Sequence, residues 1–144
     1  MTVLSADLFL RIRTRHGHYC AMSTLGGRLG EAALAALGAG SGDLTATYLI
    51  ETCATDGIAV ATGCRAEDGR LLVRNQGRHR LELRGGAGRG VAAELTAAAL
   101  QLAAVCRVRL DRGEDPDVVL MTLRTCPAEE LVVVTALASE VVDA

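Results

Sequence analysis

Apolar residues recur at helical spacing in two stretches of the first forty positions. Between Leu4 and Thr14 three of them lie on one side of a helix, which predicts a short amphipathic helix; they are Leu8, Phe9 and Ile12. Between Ala21 and Leu37 apolar residues return every three or four positions and predict a longer helix. The glycine-rich run 38–42 ends it. Residues 16–20, between the two helices, are predicted to form a loop.

The middle of the chain alternates between strand and helix patterns. The segment 46–52 is short and rich in β-forming side chains, which predicts a buried strand. A helix is predicted from Ala54 to about Thr62, closed by Gly63. Apolar residues at 71–73 and 79–83 flank Asn-Gln-Gly and predict one strand with a bulge or bend.

The last third adds two strands and two helices. The glycine-rich run 84–90 lacks the lysine of a phosphate-binding loop and predicts a turn, followed by a strand at 91–95. The almost wholly apolar residues 97–110 predict a buried or interface helix. A further helix begins at Asp115-Pro116 and runs through Leu123; Cys126-Pro127 breaks it, and 131–137 predict a closing strand. The fold class is therefore α+β, a helix-strand-helix unit followed by a mixed sheet, in one domain over residues 1–144.

Composition limits the cellular locations and the classes of partner that we expect for this protein. The chain has 144 residues, half of them apolar, and a formal charge of −2 with interleaved acids and arginines, which argues against a nucleic-acid partner. No apolar run reaches the roughly 18 residues that span a bilayer, and the N-terminus lacks the pattern of a signal peptide. We expect a cytoplasmic protein without a membrane partner. The five cysteines are then ligands, nucleophiles or core residues rather than disulfides.

The densest chemistry lies in the short segment between the first two helices. His16, His18 and Cys20 fall within five positions, although the whole chain has only three histidines. Imidazole and thiolate bind zinc, iron, nickel and copper, and zinc is the favoured cofactor. Gly17 lets the backbone bend so that the donors converge. As metal ligands we rank His18 and Cys20 above His16. The alternative role of His16 is to orient a ligand by a hydrogen bond from outside the coordination sphere.

A second group of candidates lies at the start of the helix that begins at Ala54. Antiparallel helix-strand geometry brings Cys53 and Asp56 to the same end of the sheet as the histidines. Two helix N-termini there are expected to favour thiolates at Cys20 and Cys53, as metal ligands or, for Cys53, as a nucleophile. Asp56 is a candidate for proton transfer or for a hydrogen bond to a ligand; its alternative role is to stabilise the helix start.

Other candidates carry weaker signals. Cys64 lies eleven residues after Cys53, about 15 Å along a helix, so it is a core residue, a conformational element or a metal ligand supplied by a second protomer. Arg78 is either an ordinary surface residue or the group that binds an anionic part of a substrate or cofactor. Cys106 and Cys126 are expected to be structural, and His79 to be a surface or hydrogen-bonded histidine.

Several of these motifs together resemble a known family. His-Gly-His-x-Cys at 16–20, Cys-x-x-Asp-Gly-Ile at 53–58, Thr-Gly-Cys at 62–64, Leu-x-Val-Arg-Asn-x-Gly-Arg at 71–78 and the segment 127–133 resemble the core domain of the FmdE family, which is named for a component of formylmethanofuran dehydrogenase. The resemblance implies an α+β core, usually dimeric. It also implies a metal site drawn from the following residues: His16, His18, Cys20, Cys53, Asp56 and Cys64.

The chain departs from the family pattern in three places. Ala21-Met22 replaces the Pro-Gly that often follows the first cysteine, and residues 65–70 replace the usual Thr and Gly-Lys after the third. Some relatives carry a C-terminal zinc-finger domain of paired cysteines, which we expect to be absent here.

Three functions fit these residues. The first is metal- or thiolate-dependent chemistry on a small molecule, by an enzyme or a component of one. The second is non-catalytic binding, storage or delivery of a metal or metallocofactor, and the third is a structural dimer with a metal staple. An open coordination position favours catalysis, whereas four protein ligands favour storage or structure.

We expect the protein to be a homodimer, because residues 97–110 are nearly all apolar and because of the family resemblance. Light scattering at micromolar concentration should give twice the 15.0 kDa mass of one chain. A monomeric mass under those conditions would contradict the expectation.

Overall fold

The structure is a computed structural model that describes residues 3–38 and 43–138. Its helices are α1 (Ala6–His16), α2 (Ala21–Leu37), α3 (Ala54–Thr62), α4 (Ala97–Asp111), α5 (Pro116–Val119), α6 (Met121–Thr125) and α7 (Ala128–Leu131). Its strands are β1 (Thr45–Tyr48), β2 (Leu71–Val73), β3 (Arg80–Arg84), β4 (Gly90–Leu95) and β5 (Val132–Ala136). The α+β class, with its helix-strand-helix unit and mixed sheet, is confirmed.

The five strands form one mixed sheet in the order β2-β1-β3-β4-β5. β1 and β2 are parallel, and every other neighbouring pair is antiparallel. The register places Ala46 of the central region beside Leu71 and Leu83, and all three are buried. Helix α2 contacts β3, β4 and β5, and its apolar stripe is buried; that stripe is Leu25, Leu29, Ala33 and Leu37. The core is therefore aliphatic, as the scarcity of aromatic residues requires.

Helices α2 and α3 lie side by side in the same direction, and small residues line their contact. A Cβ atom built on Gly26 would lie 2.1 Å from a backbone oxygen of α3. One built on Gly57 would lie 2.5 Å from the backbone nitrogen of Gly27. Farther along both helices, a Cβ on Gly30 would meet Ala61. Because the two backbones touch, only glycine fits at 26 and 57, and the first turns of both helices lie together.

A buried arginine fixes α6 against α2. Arg28 is 2% exposed and donates hydrogen bonds to the carbonyl oxygens of Leu123, Arg124 and Cys126 at 3.1, 2.6 and 2.7 Å. These carbonyls belong to the C-terminal end of α6, where backbone oxygens have no partner within the helix. The positive charge also complements the negative end of that helix dipole.

The predicted bulged strand over 71–83 is wrong. The structure has two strands there, β2 and β3, on opposite sides of β1. The connecting loop crosses the end of β1, where the backbone N–H of Arg74 donates to Tyr48 and those of Gln76 and Arg78 donate to Leu49. The loop therefore pairs with carbonyls at and just after the end of β1, and it connects β2, the parallel neighbour of β1, to β3, its antiparallel neighbour.

Three other boundaries differ from the predictions. The predicted 16–20 loop is shorter, because His16 is the last residue of α1 and Gly17, with φ +94°, ends the helix. The strand predicted over 46–52 ends at Tyr48. The helix predicted from Asp115 through Leu123 is divided at Leu120 into α5 and α6. Most of the predicted glycine-rich stop at 38–42 lies outside the described residues.

The remaining predicted elements match closely. Helix α3 ends at Gly63 as predicted, with φ +78°. Helix α4 buries Ala99, Ala103 and Cys106 and exposes Val105 and Val108 on its other side. Within the two described segments, no helix has both the length and the apolar character needed to cross a membrane.

We expect Gly57→Ala to lower the free energy of unfolding by about 1–3 kcal/mol or more, because the new methyl group would overlap the backbone of α2. Urea denaturation followed by circular dichroism measures the change. Gly27→Ala is the matched control, since its Cβ would meet the flexible end of the Ile12 side chain at 2.6 Å. Equal destabilisation of the two variants would contradict this interpretation of the helix contact.

Candidate metal centre

Three side chains from three elements converge at one end of the helical layer. His16 ends α1, Cys20 immediately precedes α2, and Cys53 immediately precedes α3. One donor atom from each residue lies within 4.8 Å of the other two, the one such group among the residues that the structure describes. Donors on a tetrahedral zinc ion lie about 3.5–3.8 Å apart, so an ion fits after a small contraction.

Local structure fixes the two cysteines. The backbone oxygen of Cys20 accepts hydrogen bonds from the hydroxyls of Ser23 and Thr24 at 3.1 and 2.8 Å, which holds the start of α2. At the start of α3, the Thr52 hydroxyl oxygen accepts from the backbone N–H of Ala54 at 3.1 Å. Other groups therefore hold both helix starts, and neither thiol caps its own helix.

His16 is held in one ring orientation by Asp56. The ring Nδ1 and the carboxylate Oδ2 are 2.8 Å apart, and since an ionised carboxylate only accepts, Nδ1 carries the proton. In neutral imidazole the lone pair is then on Nε2, the usual ligand atom when Nδ1 is bonded to a carboxylate. Nε2 is buried and has no hydrogen-bond partner within residues 3–38 and 43–138. A buried nitrogen without a partner is costly unless something binds it.

Arg15 connects Asp56 to a distant loop. Its Nε donates to Asp56 Oδ1 at 3.0 Å, while its two terminal nitrogens donate to Glu67 at 2.9 and 2.8 Å. Glu67 belongs to a short 3-10 turn, Ala66–Asp68, after α3. This bidentate pairing lowers the pKa of Glu67 to about 2. Arg15 and Glu67 were not identified from the sequence, where only the position of Arg15 beside His16 gave a signal.

The environment of Cys53 differs from the sequence expectation of a lowered pKa. Partial desolvation of the thiol raises its pKa, and the nearby Cys20 thiol and the negative charge of Asp56 raise it further. The residue as a whole is nevertheless exposed. Desolvation and two neighbouring acidic groups therefore raise the pKa of Cys53, whereas the helix N-termini led us to expect a lowered one. A bound cation reverses this balance, because coordination favours the thiolate.

His18 lies outside the three-atom cluster. The His18 ring packs against that of His16, with centroids 4.3 Å apart, and the residue is exposed to solvent. Of the two histidines, His16 is therefore the one whose nitrogen is near both thiols. The turn at Gly17 leaves His18 exposed, whereas His16 lies beside the two thiols.

The structure does not bring Cys64 or Arg78 into the cluster. Cys64 is fully buried just beyond the opposite end of α3 from Cys53. Arg78 forms an ion pair with Glu94, at 2.7 Å from its Nη2. Cys106 is buried in α4, where its thiol lies 3.5 Å from the Val119 carbonyl oxygen.

Cys126, expected to be structural, and His79, expected to be a surface or hydrogen-bonded histidine, also lie away from the cluster. Cys126 is half-buried, and its carbonyl oxygen accepts from Arg28. His79 is half-buried, and its Nδ1 has no partner among the described residues.

Comparison with known proteins agrees with this architecture. The model of the FmdE family, described as molybdenum formylmethanofuran dehydrogenase operon, matches residues 15–133. A crystal structure of a tungsten formylmethanofuran dehydrogenase FmdE-like protein from Syntrophus aciditrophicus is similar, with a TM-score of 0.74 and 18% identity. The alignment covers 97% of this chain and 78% of that one. No curated protein matches the chain.

The ion pair between Arg15 and Glu67 should be visible in the acid titration of the protein. The low pKa of Glu67 means that the pairing contributes to stability above the ordinary glutamate pKa of about 4.3 and is lost as the pH falls towards 2. In Arg15→Met we expect the pKa of Glu67 to return towards the ordinary value, measured by carboxyl ¹³C NMR. Arg65→Gln is the control and should change it less, because Arg65 Nη1 is 4.0 Å from Glu67. An unchanged pKa in Arg15→Met would contradict the pairing.

Proposed function

The chain belongs to the FmdE family, and on that basis we propose that it binds one divalent transition-metal ion through His16, Cys20 and Cys53. The supporting observation is the arrangement of three donor atoms mutually within 4.8 Å, one of them from His16, whose buried Nε2 has no hydrogen-bond partner among the described residues. Two thiolates and one imidazole form a donor set that zinc accepts readily, and iron, nickel and copper also fit.

The proposed activity is metal-dependent chemistry on a small molecule. Three protein donors leave a coordination position open for a molecule from outside the chain. A bound zinc or similar ion would act as a Lewis acid on that molecule. Asp56 orients His16 and keeps its proton on Nδ1. Cys20 and Cys53 must both lose their protons on binding, so metal affinity should rise with pH. In this proposal Cys53 is a ligand rather than a nucleophile.

The exposure of Cys53 supports a second candidate function, delivery of a metal or metallocofactor. An exposed ligand at a helix start is accessible to thiols of another protein, which is what ligand exchange requires. The two candidates differ in kinetics. A delivery protein should release its metal to a competing thiol chelator within seconds, whereas a catalytic site should retain it.

Metal analysis of the purified protein tests the proposal. We expect about one zinc, iron, nickel or copper ion per chain after reconstitution, and a loss of at least about tenfold in affinity in Cys20→Ser and in Cys53→Ser. Cys126→Ser is the matched control, because that half-buried thiol is outside the cluster. Metal content in Cys20→Ser equal to that of the wild type would show that the proposed site is wrong.

A further inference from the structure

Both oxygens of Asp56 are engaged, each by a residue of the last turn of α1. Oδ2 lies 2.8 Å from Nδ1 of His16, and Oδ1 accepts from Nε of Arg15 at 3.0 Å. Asp56 also lies one turn after Cys53 on α3, so its carboxylate is on the side of the helix that carries the cluster. A carboxylate in this position is itself a common metal donor. Asp56 is nevertheless not one of the three residues whose donor atoms lie within 4.8 Å of one another; its two oxygens contact the imidazole and the guanidinium instead.

Arg15 is positioned to hold the Asp56 carboxylate in this orientation. Its three nitrogens all donate, one to Asp56 and two to Glu67, so the guanidinium is fixed at both edges. Only arginine offers this rigid fork of donors; a lysine would supply a point charge with freedom to move. Asp56 and Glu67 are separated from Arg15 by 41 and 52 positions in the sequence, so the arrangement depends on the fold.

We propose that Arg15, anchored by Glu67, keeps Asp56 as the hydrogen-bond acceptor of His16 and prevents it from becoming a fourth metal donor. The inference rests on the proposed metal site. Its consequence is that a coordination position is reserved for a small external donor such as an anion or a thiol. Arg15 and Glu67 are positioning residues, since neither contributes an atom to the donor cluster.

A contribution to stability does not explain the arrangement equally well. The side chains of Arg15 and Glu67 are 26% and 52% exposed, and exposed ion pairs add little to folding free energy. The same turn also contains a second pair, Arg65 with Asp68 at 2.7 Å, which does not involve Asp56. That neighbouring pair provides the matched control.

Cobalt substitution with thiocyanate as the external donor tests the proposal. The visible absorption of protein-bound Co²⁺ reports the number of donors, and thiocyanate binding changes it. We expect Co²⁺-loaded wild type to bind thiocyanate, and Arg15→Met to bind it at least about tenfold more weakly because Asp56 takes its place. The double variant Arg15→Met/Asp56→Asn should bind thiocyanate more tightly than Arg15→Met, because a neutral amide oxygen competes less well than a carboxylate for the ion, but more weakly than the wild type, because His16 loses its charged partner. Glu67→Gln should weaken binding in the same direction but less.

The controls separate this inference from the proposed function. Asp68→Asn should leave the cobalt spectrum and thiocyanate affinity unchanged. If Arg15→Met binds thiocyanate as wild type does, loses Co²⁺ altogether, or is not rescued by Asp56→Asn, the role of Arg15 is wrong while the metal site stands. If the wild type takes up no Co²⁺, the proposed function fails and this inference fails with it.

Discussion

The close contact between α2 and α3 is the constraint on which the candidate site depends. Glycines at 26 and 57 let the two backbones touch, and a single methyl group at either position would overlap a backbone atom of the other helix. Because the helices run in the same direction at this short distance, their first residues become neighbours. Those first residues are preceded by Cys20 and Cys53, which therefore lie together although 33 positions separate their numbers.

Helix α1 adds the third donor and the charges that orient it. Its last turn presents Arg15 and His16 to the same residue of α3, Asp56, so one carboxylate fixes the direction of the imidazole and is itself fixed by the guanidinium. Much of this hydrogen-bond network is partly exposed, so it adds little to the folding free energy. Its main effect is to fix the positions of the side chains. The buried apolar core lies instead between α2 and the sheet, and Arg28 of α2 joins that helix to the end of α6.

Local sequence patterns predicted most elements because each depends on short-range physics. Helical periodicity located α1 and α2, glycines marked the predicted ends of α2 and α3, and short apolar or β-forming runs located β1, β4 and β5. The bulged strand over 71–83 failed for a non-local reason. The loop between its two halves is held by carbonyls at the end of β1, more than twenty positions earlier, and no pattern within the segment records that contact.

The kind of site could be read from the residues alone: a cluster of imidazole and thiol donors, with a second half at the start of a later helix, in an α+β domain of the FmdE family. Donor identity is a property of side chains and needs no fold. Which donors meet depends instead on tertiary packing. Packing placed His16, and not His18, close to both thiols because Gly17 ends α1 and turns the chain outward, and it left Cys64 buried beyond the other end of α3. It also gave Asp56 its partners, because hydrogen-bond geometry exists only once three distant segments have packed.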